Sequence, residues 1–180
     1  MTGRRAYAVA STMLLLALSS GNVRAETPRV LPAETRRAPQ FVIRDVQGHA
    51  LDLEELGHHG PVLLDFWATW CRPCIESLSE LQALHEKFGP QGLTLNGVSI
   101  DGPRNFAKVR PFTKARGLTY PVAIDRDGRL QQLFQVISVP TAFLIDTSGV
   151  IRQVRVGYRP GETTQFEDSI RALLPAPTTP

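Results

Sequence analysis

The sequence predicts an α/β fold, a central mixed β-sheet flanked by helices, on three observations. An apolar run from Pro61 to Trp67 reads as a buried strand, and it leads into Leu78, Leu81, Leu84 and Phe88 at helical spacing. Further strand-like runs, Leu93 to Ile100, Pro121 to Ile124, Ala142 to Ile145 and Val150 to Val156, alternate with helical segments. With an N-terminal export signal set aside, about 150 residues remain, enough for one well-filled core.

Residues 1–25 read as that signal peptide. Arg4 and Arg5 form a basic start, Ala6 to Leu18 is mainly apolar, and Val23-Arg24-Ala25 offers small residues for cleavage. The apolar stretch falls short of the roughly 20 residues a transmembrane helix needs, so an uncleaved anchor is the lesser alternative. The whole chain holds 20 Lys and Arg against 17 Asp and Glu. Removing Arg4, Arg5 and Arg24 leaves 17 against 17, so the exported protein is near neutral. Nothing in that balance points to nucleic acid. Residues 26–38, with Pro28, Pro32, Arg36 and Arg37 and no apolar period, read as a flexible linker. The folded domain is expected over 39–175 and a loose tail over 176–180.

Phe41 to Arg44 and Ala50-Leu51 predict an N-terminal β-hairpin turning at Gln47-Gly48, and Leu53 to Leu56 a helical turn. His58 and His59 follow in a loop. They are either a ligand pair or solvated side chains, and no third ligand accompanies them. The next strand carries Asp65 in the middle of its apolar run, where an ionised carboxylate is expensive without a partner. Burial there should raise its pKa.

At the point where this strand gives way to a helix stand Cys71 and Cys74, the only cysteines in the chain. Pro73 suits a first helical turn. Cys71 would lie at or next to the helix N-cap, where free N–H groups stabilise a thiolate, and Arg72 adds a nearby cation. Cys74, one turn on, is within disulfide reach and should be the more buried thiol. Cys71 would then be the attacking thiol and Cys74 the resolving one. A zinc site wants four ligands, and a disulfide closing so short a loop removes little entropy from the unfolded chain, so both are weaker readings of the pair. The helix should stop before Gly89-Pro90. His85 falls on its apolar face and reads as a boundary or core histidine. Phe106 to Arg116 predicts a helix closed by Gly117, and a short helix should end near Phe134. Asp146 to Gly149 predicts a hairpin turn, and Glu162 to Leu174 a final amphipathic helix.

Phe66-Trp67-Ala68-Thr69-Trp70-Cys71-Arg72-Pro73-Cys74 resembles the active site of thioredoxin-fold thiol–disulfide oxidoreductases. Ala38-Pro39-Gln40-Phe41, Asp45-Val46-Gln47-Gly48 and Leu53 to Leu56 are similar to the opening of the TlpA/ResA-like branch, and Val136 to Asp146 to its cis-proline segment. The resemblance spans roughly residues 38 to 174. It implies a thioredoxin-like fold whose segment from about 103 to 135 is the branch's central helical insertion. It further implies a periplasmic dithiol enzyme that needs no cofactor and no metal. Its partners would be exported proteins with disulfides and a membrane-embedded electron donor.

By the same resemblance, Asp65 would accept the proton of Cys74, a hydrogen-bonded buried acid being the plainer alternative. Trp70, Arg72, Pro73, Val139 and a cis Pro140 would line the substrate-binding surface. Relatives act mainly as reductants, on clients such as apocytochrome c or copper-site assembly proteins. Two departures stand out. ResA-like members carry an acid where Ser77 stands, with Glu76 one position early, and the cytochrome-maturation subgroup has Pro-Glu-Thr where this chain has Pro140-Thr141-Ala142. An oxidant using the same site, or a copper carrier using the cysteines and a histidine, are the rival expectations.

Overall fold

The computed structural model describes residues 36–161 and 163–175. The expected signal peptide, the linker up to residue 35 and the tail from 176 lie outside the described residues. The chain forms β1 (Val42–Arg44), β2 (Ala50–Asp52), α1 (Leu53–His58), β3 (Val62–Trp67) and α2 (Arg72–Phe88), then a 3-10 turn over Gly89–Gln91. It continues through β4 (Thr94–Ser99), α3 (Phe106–Ala115), β5 (Val122–Ile124), α4 (Arg129–Leu133), β6 (Thr141–Ile145), β7 (Ile151–Val156) and α5 (Thr163–Leu173).

Five strands make one sheet in the order β5-β4-β3-β6-β7. β3 pairs parallel with β4 and antiparallel with β6, so the sheet is mixed as predicted. The parallel pairs β3/β4 and β4/β5 are each joined through a helix, α2 and α3 respectively, the crossover that parallel neighbours require. β1 and β2 form the expected hairpin, and the bridge from Asp45 to Ala123 ties it to the β5 edge.

Every residue of β3 is buried, which explains its continuous apolar run, and alternate side chains enter two different cores. Leu63 and Trp67 pack with Cys74, Leu78, Leu81 and Phe88 of α2 and Phe166 and Ile170 of α5. Val62, Leu64 and Phe66 pack on the opposite face with Leu130 of α4, Phe134 and Phe143. Each such large side chain taken fully out of water contributes about 1.5–3 kcal/mol.

The structure extends the domain beyond its predicted start. Ala38 N donates to Gly149 O at 2.8 Å and Ile151 N to Arg36 O at 2.9 Å. Arg36 to Ala38, expected in the linker, thus pair with the edge of the sheet where β7 begins. Backbone pairing of this kind needs no apolar pattern. α1 is likewise longer than the predicted turn. Asp52 caps it by accepting from Glu54 N at 3.0 Å, and the helix runs on to His58.

Asp65 lies at the centre of β3, opposite Gly97 of β4 and Ala142 of β6. By strand alternation its side chain shares the α2 face with Leu63 and Trp67. The small neighbours make room. A Cβ on Gly97 would stand 3.1 Å from Trp67 Nε1 and 3.3 Å from the Tyr120 ring, so glycine is what lets these side chains close over the sheet. Asp65 is fully buried, and neither of its oxygens has a hydrogen-bond partner among the described residues. Burial pushes its pKa up to about 7, against a weaker opposing pull from Arg155.

That shift fixes the sign of a stability change. The unfolded chain releases this proton near pH 3.8, whereas the folded chain holds it up to about pH 7. Between those values the folded state binds more protons, so stability falls as pH rises, by about 4 kcal/mol over the whole window. Asp65→Asn removes the titration. Urea unfolding as a function of pH should show the variant matching the wild type near pH 4 and exceeding it at pH 8. Parallel curves would mean that Asp65 is not held protonated by the fold.

Candidate active site

The site is assembled where β3, α2 and the start of β6 meet. Cys71 is the N-cap of α2, with extended backbone, and its Sγ accepts from Cys74 N at 3.2 Å. Pro73 occupies the first turn, where its missing N–H leaves no carbonyl unpaired. The two cysteines are joined as a disulfide, with 5.2 Å between their Cα atoms. Cys71 is 6% exposed and Cys74 is fully buried, the asymmetry expected from one helical turn of separation.

The Val139-Pro140 peptide is cis, as the resemblance implies, and it leads directly into β6. The Val139 carbonyl oxygen lies 3.6 Å from Cys71 Sγ, so residues 68 apart in sequence converge on the reactive sulfur. Pro140 is buried and Val139 partly so. Trp70, immediately before Cys71, is 60% exposed. The structure thus brings Cys71, Cys74 and Val139 together, with Trp70, Arg72 and Pro73 adjacent in the chain and Pro140 next to Val139, while Asp65 lies on the strand face that packs against the core holding Cys71 and Cys74.

The cation expected beside Cys71, Arg72, is paired with an acid. Its side chain is 91% exposed, and its Nε donates to Glu76 Oε1 at 3.0 Å across one helical turn. The guanidinium thus shares its charge with an acid on the exposed helix surface. Glu76 is exposed and occupied by this pair. Ser77 is fully buried, and its Oγ donates to Cys74 O at 2.8 Å. His58, expected in a loop, is in α1, with its Nδ1 3.8 Å from Glu55 Oε2. Among the described residues no three His, Cys, Asp or Glu side chains are grouped as metal ligands. His85 is partly buried, and its ring meets Tyr120 edge to face at 5.8 Å. No helix among the described residues is long and apolar enough to cross a membrane.

Two residues escape the sequence reading. Ile137 is 97% exposed in the loop that leads to Val139, and the apolar residues from Phe134 to Val139 are too dense for an ordinary solvated connection. Asp101, just past the strand run Leu93 to Ile100, is buried against Thr69, and no local pattern announces a partner 32 residues away.

A disulfide at a helix N-terminus, with Cys71 slightly exposed, Cys74 fully buried and a backbone carbonyl 3.6 Å from the Cys71 sulfur, suits thiol–disulfide exchange. The comparisons agree. The AhpC/TSA family profile matches residues 35–154. The chain is 34% identical to the thiol-disulfide oxidoreductase ResA of Bacillus thuringiensis subsp. konkukian over 143 residues, covering 78% of each protein. It is 34% identical to ResA of Bacillus subtilis over 125 residues, 69% of this chain and 68% of that one. Among solved structures, the Chlorobium tepidum protein assigned as thiol:disulfide interchange protein DsbE superposes with a TM-score of 0.71 at 30% identity. That match covers 77% of this chain and 95% of the other. Fold, dithiol and relatives agree: the chain belongs to the AhpC/TSA family of thioredoxin-fold proteins and is a thiol–disulfide oxidoreductase.

Proposed function

We propose that the protein reduces disulfides of exported client proteins on the periplasmic side of the membrane. The Cys71 thiolate attacks a client disulfide, displacing one client thiolate and forming a mixed disulfide. Cys74 then attacks Cys71 Sγ and expels the second client thiolate. Two electrons pass to the client, and the Cys71–Cys74 disulfide remains to be reduced by a membrane-embedded donor. Asp65 takes the Cys74 proton as that thiol becomes the nucleophile; an acid with a pKa near 7 is matched to that transfer. Trp70, Arg72 and Pro73 bound the client on one side. Val139 and Pro140 bound it on the other, where backbone groups pair with an extended segment as an added strand would.

The observation that carries the reductive direction is the modest support for a Cys71 anion. One helix amide, Cys74 N, donates to Cys71 Sγ, and the adjacent cation of Arg72 is paired with Glu76. A strong oxidant depends on a heavily stabilised thiolate. A thiolate stabilised this lightly suits a reductant.

The roles separate in stopped-flow kinetics with a fluorescent client peptide disulfide. Cys74→Ser should form the mixed disulfide and accumulate it, whereas Cys71→Ser should form none; a trapped adduct on Cys74 would reverse the assignment. Asp65→Asn should form the mixed disulfide at the wild-type rate and resolve it on the order of a hundredfold more slowly at pH 7. Unchanged resolution would reduce Asp65 to a structural acid.

A further inference from the structure

The loop between β3 and α2 carries both Trp70 and Cys71, yet its own backbone closes with one bond, Cys71 N to Ala68 O at 3.2 Å. What holds it in place comes from the end of β4. Ile100 N donates to Trp67 O at 2.8 Å, and the next residue, Asp101, is fully buried. Asp101 Oδ2 accepts from Thr69 N at 2.9 Å and from Ser99 Oγ at 2.7 Å. Its other oxygen, Oδ1, accepts from the Thr69 hydroxyl at 2.6 Å. Asp101 N in turn donates to Ser99 Oγ at 3.1 Å.

Both oxygens of one buried carboxylate are therefore used, and two of its three donors belong to a single residue of the reactive loop. Short bonds to a carboxylate are about twice as strong as neutral ones, and a buried carboxylate that loses a donor is costly. Gripping the backbone and the side chain of Thr69 together fixes where that residue sits and how it is turned. Thr69 is two residues from Cys71. The bond from Cys74 N to Cys71 Sγ and the approach to Val139 O both depend on where the chain enters α2, since hydrogen bonds weaken steeply with misalignment.

We propose that Asp101 is a positioning residue of the dithiol site: through Thr69 it holds the loop so that Cys71 Sγ stays aligned with the Cys74 amide of α2. Asp101 touches neither sulfur and acts on them through Thr69. The role rests on thiol–disulfide exchange itself, so it holds whichever way electrons flow and does not depend on the client.

The test is the pH dependence of Cys71 alkylation by iodoacetamide in the fully reduced protein. Thr69→Val removes the hydroxyl and keeps the branched shape and the backbone donor. The Cys71 pKa should rise by about half to one unit, which slows alkylation at pH 7 on the order of three- to tenfold. Thr69→Ser, which restores the hydroxyl, should return the titration to the wild-type curve. Ser99→Ala, which takes a donor from Asp101 without touching the loop, should shift it in the same direction by less, and it decides the matter if the valine variant does not fold. A lowered melting temperature with an unchanged Cys71 titration would make the clamp purely structural and overturn the proposal.

Discussion

The pairing of β3 between β4 and β6 is the constraint on which the rest of this structure depends. Its parallel partner brings Asp101 to the loop before Cys71, and its antiparallel partner brings Val139 to the sulfur itself. Because β3 is buried on both faces, the strand cannot slip by a residue without moving a whole set of apolar side chains from one core to the other. The position of Cys71 thus depends on the hydrophobic packing of the strand that leads to it. The helix that follows contributes a free amide, and the strand register determines where that amide points.

Two buried aspartates serve this arrangement in opposite ways. Asp101 is surrounded by donors and holds a loop. Asp65 has none among the described residues, and burial lifts its pKa to about 7. Both are out of water at the same sheet, and their hydrogen-bond partners differ. Asp101 is held as an anchor by its donors, and Asp65, denied them, becomes a group that exchanges its proton near neutral pH, at an expense in stability that the sheet must absorb.

Much of this was legible in the sequence, and what was missed has a common cause. The β3 run, the helix after Cys74 and the stop at Gly89-Pro90 are local patterns of apolar period and backbone chemistry, and they appear where expected. Asp65 was legible because a carboxyl inside six apolar positions is conspicuous. The pairing of Arg36 to Ala38 with the β7 edge was not, because backbone hydrogen bonds leave no mark on residue type. The capture of Arg72 by Glu76 follows from i,i+4 spacing and was open to a closer reading of that turn. The grip of Asp101 on Thr69 and the exposure of Ile137 arise only from tertiary placement, which no single segment encodes.

The central claim is that a lightly stabilised Cys71 thiolate makes this enzyme a reductant, and the reduction potential of the Cys71–Cys74 pair tests it most directly. Equilibration of the purified domain against dithiol buffers, with the thiol and disulfide forms separated after alkylation, yields that value. A potential near about −270 mV, in the range of thioredoxin, is the predicted result. A potential towards about −120 mV would mean a strongly stabilised thiolate and a protein that oxidises its clients, and it would contradict the account.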